Sequence, residues 1–506
     1  MKKGNVSVFL ALLFPLVLAL VLTLLESARY GGLRLQARNA GNAAADSVMA
    51  GYNRTLLRRY GLLFYDGSGG AGLISYEDLE EEFSDWFERN LPDGRVSGSL
   101  FRTELSEAKA ADVVTATDYN GEVFIRSALD FYKFGAAADL LNELEEQAGL
   151  LENGGNALNQ AENDKDTLKS TDWGGSASPE GRNGQAVFMR CIRFMEAEDS
   201  GEDFDNERLQ EDIANSPIGK TDEEKAKGFL ALVVPEDRKV SAYSADLSEA
   251  PSKTAVDPRE TTGADLLEDG LRKVLFNEYI LSQFYCFTDE SDKAGLKYQT
   301  EYVLFGGASD EQNLKSAVNR IMWIREGMNL LHILGSDKWS LVEELAAALF
   351  SWTENPIIIG LAAMAMAAAW AYGEAVLDMR ALLNKKKVPY LKTEEDWTLS
   401  IEGLMNDGWE GRLEAKSSET GMGYEGYLRL MLYLNDVHQL SYRTMDLVQD
   451  DMRLSYPHFL MSTQIYAVEF LANLKAPPLY SALPMVFGRF GGLVDYAWDE
   501  RFSEVY

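Results

Sequence analysis

The hydrophobic pattern divides the chain at Glu26. Before it, Gly4 to Leu25 reads GNVSVFLALLFPLVLALVLTLL, twenty-two residues without a charge, preceded by Lys2 and Lys3. A helix rises about 1.5 Å per residue, so this run reaches roughly 33 Å, enough to cross a hydrocarbon core of about 30 Å. A buried soluble helix carries polar positions along one face, whereas here only Asn5, Ser7 and Thr23 interrupt the run. Pro15 lies mid-span, where neighbouring helices or local adjustment satisfy the freed carbonyl. The run is longer than the roughly 7–15-residue apolar core of a secretory signal. The nearest small-x-small site, ending at Ala28, places Glu26 at the third position before the cut. The pattern therefore predicts an uncleaved transmembrane anchor over 1–25, in contact with membrane lipid through residues 4–25.

Beyond the anchor, apolar and small residues recur every three to four positions (Leu33, Ala37, Ala40, Ala44, Val48), which predicts a juxtamembrane stalk helix over 26–60. A first ectodomain part follows over 61–152. Ser75 with Asp78 resembles a capping box and opens a helix over Tyr76 to Leu91. Ser97 to Ala116 reads as two short strands, and Gly121 to Leu151 as an amphipathic helix. Residues 153–220 are a loop or linker, poor in apolar residues over Asn153 to Asn183 and acidic from Glu196 to Asp212.

The main ectodomain, 221–506, mixes both periods. Gly228 to Pro235 and Tyr298 to Phe305 read as buried strands, and Gln464 to Leu471 alternates as a strand should. Helices are expected over Leu266 to Cys286, from Ser309 as N-cap to Leu334, over Ser340 to Trp352, Pro356 to Leu383, Gly423 to Leu434 and Gln439 to Leu454. The tail from Ala476 is aromatic and Pro-rich, apolar enough to dock on the domain. The uncharged stretch 356–372 raises the question of a second span. It is short and Ala-rich, which favours a buried core helix. The fold class expected is α+β: a single N-terminal transmembrane helix extended into a stalk, then a large helix-rich ectodomain with a mixed or antiparallel sheet.

Charge refines the picture. With 48 basic and 80 acidic residues the net charge is -32, which argues against nucleic acid as a partner, because phosphates need Lys and Arg. It also suits a domain outside the membrane better than one lying on the anionic inner leaflet. Lys2 and Lys3 favour a cytoplasmic N-terminus, although Arg29, Arg34 and Arg38 flank the other end. Long domains translocate largely regardless of local charge, so the localisation expected is the cell membrane, single-pass, with the bulk of the chain extracytoplasmic.

Candidate chemistry is sparse. Two cysteines, Cys191 and Cys286, cannot build a disulfide framework, and their apolar neighbours make buried free thiols the default. Of the three histidines, His332 lies in an apolar stretch and reads as a core residue, His438 falls at a helix junction, and His458 follows Pro457 in a turn. No HExxH, G-x-S-x-G or P-loop is present. From Asp203 the sixth residue is Arg208 and the twelfth Ala214, so the calcium-loop pattern fails. No catalytic residue, metal ligand or cofactor is expected, but nothing singles out one pair among the eighty acidic residues, so an envelope hydrolase stays open as a third reading.

The string Lys3-Gly4-Asn5-Val6-Ser7-Val8-Phe9-Leu10-Ala11-Leu12 with Pro15 resembles the N-terminus of TadE/TadG-like proteins of tight-adherence pilus systems. Blocks such as EYVLFGGASDEQNLKSAVNRIMWIREGMN, KVPYLKTEEDW, YEGYLRLMLYL and MDLVQDDM resemble an uncharacterised Firmicutes family of that anchored type. The resemblance implies a component of a type IV-related pilus assembly or secretion system, with other pilus or envelope proteins as partners. In pilin-like proteins the segment after the span packs against the globular domain. Pilins are cut after a Gly and carry a Glu at the fifth position after it. Gly4 and Asn5 are the candidate processing positions here, but Phe9 stands where the Glu would be. That departure makes the unprocessed TadG-like members the closer match. The alternative expectation is an anchored cell-surface receptor or adhesion module that binds a wall polymer or peptide.

Overall fold

Helix α1 runs from Lys3 to Met49 without interruption in the computed structural model, which describes residues 3–91, 98–135, 205–226, 228–254, 269–289, 295–405, 413–419, 421–480 and 495–506. From Phe9 to Leu25 it is bare, with Leu12 72% and Phe14 70% exposed. From Glu26 onward one side is buried: Arg29, Leu33, Ala37, Ala40, Ala44, Ala45, Val48 and Met49. The periodicity expected of a stalk is therefore real, but the segment does not stand free. It is the core helix of a sheet-containing unit.

Nor does the helix reach residue 60. It ends at Met49, and a separate helix α2 (Arg54–Tyr60) begins where Asn53 Oδ1 accepts from the amides of Thr55 and Leu56 at 3.1 and 3.2 Å. Such a side-chain cap satisfies amides that have no helical partner.

The chain forms two compact units. The sheet unit takes residues 1–134, 253–263 and 448–506, and the helical unit takes 135–252 and 264–447. In the sheet unit, α1 is followed by α2, β1 (Tyr65–Asp66), α3 (Tyr76–Asn90), β2 (Glu104–Thr115) and α4 (Glu122–Gly135). The C-terminal stretch returns as β3 (Gln464–Ala476) and β4 (Tyr496–Val505). The sheet is wholly antiparallel, with β3 central: β2 pairs along one length of it, and β4 and β1 pair at successive positions. Alternation along β3 sends Val468, Phe470, Ala472 and Leu474 to the core, where they meet α1 and the Leu79, Phe83 and Phe87 stripe of α3. Phe83 stacks on Phe470 with ring centroids 4.3 Å apart.

Strand β4 runs beside α1 as an edge strand, and its inward positions match turns of the helix. Tyr30 meets Tyr496 and Trp498 at 5.4 and 5.6 Å between ring centroids. Arg34 and Arg38 both bond Glu500, at 3.1 and 2.5 Å. Gly41 leaves room for Phe502, whose Cε1 lies 2.2 Å from where a Cβ at position 41 would sit. Gly41→Ala should therefore overpack this seam. The expected loss is about 1–3 kcal/mol of sheet-unit stability, read as a lower denaturation midpoint. An unchanged midpoint would show that the seam yields freely.

Several expectations are corrected here. Ser97 to Ala116 holds one strand, not two. Bulges between Leu105 and Glu107, Ala110 and Asp112, and Val114 and Thr115 bend it and interrupt its alternation. The tail contains strand β4. The amphipathic helix from Gly121 is described only to Gly135. The rest of it, the linker over 153–183 and Cys191 lie outside the described residues. The end of the acidic stretch is not loop but helix α5 (Asn206–Ala214), capped by Asp205.

The helical unit continues with α6 (Pro217–Ala226), α7 (Phe229–Val233), α8 (Asp269–Gln283), α9 (Gln299–Phe305), α10 (Asp310–Leu334), α11 (Lys338–Phe350), α12 (Pro356–Leu383), α13 (Ile401–Met405) and α14 (Tyr424–Leu434). Helix α15 (Val437–Arg453) then leads back to the sheet unit. The two runs expected as buried strands, 228–235 and 298–305, are helices α7 and α9. The apolar run before Pro235 satisfies either period, and in 298–305 the polar Thr300 and Glu301 are buried along with the apolar positions, as a core helix allows. In α9, Gly306 takes a left-handed conformation at φ 66° and its amide bonds Tyr302 O, closing a helix rather than a strand.

Helix α12 is long and apolar enough to cross a membrane, yet 56% of its most apolar window is buried, against 6% for α1. It packs on α10 and α11 as a core helix.

Candidate functional site

Where α1 leaves its apolar run, two charged residues are buried. Glu26 and Arg29 are 5% and 4% exposed, and Arg29 Nη1 donates to Glu26 Oε1 at 2.8 Å. A buried ion pair holds only when further hydrogen bonds complete its shell. Here Arg29 Nη1 also donates to Pro477 O at 2.9 Å, and its Nε donates to Leu100 O. Glu26 Oε2 accepts from Leu479 N at 3.1 Å and from Tyr480 N. The helix thus grips the chain just before β2 and just after β3. It does so within the first turn beyond the last residue of the apolar run. The two charges are held by each other and by backbone groups of distant segments, with Arg29 Nη2 lacking a hydrogen-bond partner among the described residues, so the junction fixes the direction of the helix.

The candidate processing positions Gly4, Asn5 and Phe9 all lie within α1, and Phe9 is 63% exposed on its bare part. The bond after Gly4 is in the first turn of the helix. The spacing of Glu26 and Arg29 is visible in the sequence, but their partners are not. Leu479 lies 453 positions away from Glu26.

The helical unit holds a second concentration of buried charge. Glu374 and Asp378, one turn apart on α12, share the ammonium group of Lys392. Arg325 on α10 closes on Asp378 Oδ2 at 2.9 Å, and Asn329 donates to the same oxygen at 3.0 Å. Burial pushes the Asp378 carboxyl up, but the Arg325 and Lys392 charges more than offset it, leaving it below its usual range. Burial raises Glu374, and Lys392 only partly compensates. Charged groups this well paired make a structural lock.

His332 is not in the core. It sits at the rim of the helical unit, stacked on Trp397 at 5.1 Å, with Nε2 3.3 Å from Glu394 Oε1. It occupies the last turn of α10, beside the exposed Leu331. Burial and the nearby Lys338 charge lower its pKa. Cys286 is a buried free thiol whose pKa burial raises. Among the described residues no group of three or more His, Cys, Asp or Glu is placed to hold a metal ion.

Fold and junction together define an α+β protein whose N-terminal helix, long and apolar enough to span a membrane, continues into the core of an antiparallel-sheet unit. The chain belongs to DUF5702, a family of unknown function, whose family model matches residues 207–476. No curated protein and no solved structure matches it.

Proposed function

We propose that this protein is a non-enzymatic, membrane-anchored component of a Tad-like, type IV-related pilus assembly or secretion system, with a cytoplasmic N-terminus and an extracytoplasmic bulk. The observation that carries this reading is the single helix α1, whose bare apolar half and buried half are one continuous element. That layout matches the pilin-like arrangement that the N-terminal string implies. The Glu26–Arg29 clamp sets the exit of the apolar half from the sheet unit. Arg34 and Arg38 on the far side are paired with Glu500, and Lys2 and Lys3 precede the apolar run in the sequence. With Phe9 in place of the pilin Glu, a new amino group at Asn5 would lack its partner in an apolar medium. The chain therefore keeps Lys2, Lys3 and Gly4 and stays in the bilayer as an assembly factor.

Alkaline extraction of membranes, followed by mass spectrometry of the extracted and retained chains, tests this. The intact chain should stay in the pellet with Lys2 to Gly4 attached, and a chain lacking Met1 to Leu25 should be released. Intact protein in the wash would sink the anchor. A mature chain beginning at Asn5 in sheared fibres would instead make this protein a minor pilin.

A further inference from the structure

The sheet unit carries a cleft of about 440 Å³ that the anchoring role does not use. Cavities of a few hundred cubic ångströms hold small organic ligands. One wall is the turn Tyr456–Phe459, closed by Phe459 N donating to Tyr456 O at 2.9 Å, with Pro457 at its second position. The facing wall is Asn53, Arg54 and Thr55, and Asp66 also lines the cleft. Tyr456 and Thr55 approach each other through their hydroxyls at 3.3 Å.

Two charged groups in this cleft keep bonding capacity: Arg54 and one oxygen of Asp66. Arg54 is exposed and makes no hydrogen bond or ion pair to a described residue. Arg59, on the same helix, is by contrast held by Asp451 at 2.8 Å. Asp66 uses Oδ1 to accept from Ser68 Oγ at 2.7 Å, Ser68 N at 3.0 Å and Gln464 Nε2 at 3.2 Å, and its Oδ2 makes no bond to a described residue. The amides of Thr55 and Leu56 are already capped by Asn53, so recognition falls to side chains. A guanidinium fork matches a carboxylate, and a carboxylate oxygen accepts from an ammonium group. The field of a chain with net charge -32 repels ligands of net negative charge, but a ligand with one charge of each sign is not repelled.

We propose that this cleft binds a small zwitterion of the amino-acid or dipeptide class, with its carboxylate on Arg54, its ammonium group toward Asp66 and its aliphatic part against Tyr456 and Pro457. The proposal does not rest on the pilus reading.

The test is calorimetric titration of the full-length protein in detergent with three probes: L-alanyl-L-alanine, its C-terminal amide and its N-acetyl derivative. The free dipeptide should bind saturably, and each blocked form should bind about tenfold or more weakly, as expected for loss of a charge-assisted pair. Arg54→Gln should weaken dipeptide binding by a similar factor. Arg58→Gln, an exposed arginine outside the cleft, should leave it unchanged. The proposal is overturned by the absence of saturable binding up to about 10 mM, the weak end of small-ligand affinity. Equal binding of the amide, or full affinity in Arg54→Gln, overturns it too. The blocked probes decide the matter even if the variant misfolds.

Discussion

Lys392→Met is expected to destabilise the helical unit by about 3–5 kcal/mol, the cost of removing one member of a buried charged group. The Lys392 side chain is 1% exposed, and its ammonium lies between Glu374 Oε1 and Asp378 Oδ1, the latter at 2.6 Å. Without it, Asp378 keeps Arg325 and Asn329. Among the described residues Glu374 is left with the amides of Thr398 and Leu399, at 3.1 and 2.7 Å. A carboxylate without a cation in the interior must take up a proton or open the structure. The companion variant removes both charges. Lys392→Met with Glu374→Leu should recover most of the loss, because apolar replacement of a buried pair at similar volume is often neutral. Trp370 and Trp397 meet edge to face at 5.6 Å, and Lys392 Nζ lies 5.7 Å from the Trp397 ring. Tryptophan fluorescence during denaturation therefore includes a contribution from this cluster among the nine tryptophans. An unshifted transition in the single variant would show that the cluster adds nothing to stability.

Glu301→Gln should remove a fall in stability between about pH 4.5 and pH 7. Glu301 is fully buried on α9, and burial pushes its carboxyl up to about 7 from an ordinary 4.5. Its Oε1 accepts from Phe287 N and from Tyr424 on α14, both at 2.8 Å. Its Oε2 has no hydrogen-bond partner among the described residues. Asp289, on the adjoining loop, raises it further. Because the folded-state pKa is the higher one, the folded chain binds the extra proton. The associated stability is complete below pH 4.5 and is lost as pH rises through about 7. At 1.36 kcal/mol per pKa unit the loss is about 3 kcal/mol. Glutamine presents the same acceptor and does not titrate. The stability difference between wild type and variant should therefore change by about this amount from pH 4.5 to pH 8, in the variant's favour at the alkaline end. Parallel pH curves for the two proteins would refute the assignment.

How much of this was legible depends on the length and locality of each signal. Helix α12 matches its predicted bounds, Pro356–Leu383. Helix α10 starts at Ser309, whose Oγ accepts from Gln312 N at 3.3 Å. Caps and long periodic faces are local chemistry and survive any tertiary context. The runs at 228–235 and 298–305 failed because a short segment of four to six apolar residues fills a buried helix turn as readily as a buried strand. Strand β4 escaped because, as an edge strand, it buries only Phe502 fully. Its other inward residues, Tyr496, Trp498 and Glu500, meet Tyr30, Arg34 and Arg38 of α1, and no local pattern records that partner.

By itself the sequence determined that the first helix can cross a membrane and that the chain combines long helices with strands. It also determined that the surface is strongly acidic. Each of these is a sum over neighbouring residues. Only the tertiary structure decided that the helix, legible in the sequence as continuing past its apolar end, becomes the core of the sheet unit. It alone showed that β3, 464–476, pairs with strands at 65–66, 104–115 and 496–505, around an inserted helical unit. It also decided that Glu26 and Arg29, read along the chain as charges bordering a span, are buried clamps on residues 477–480 and 100. Periodicity records which face of an element leaves water, not what it meets there. Partners more than 450 positions apart leave no trace in any local window.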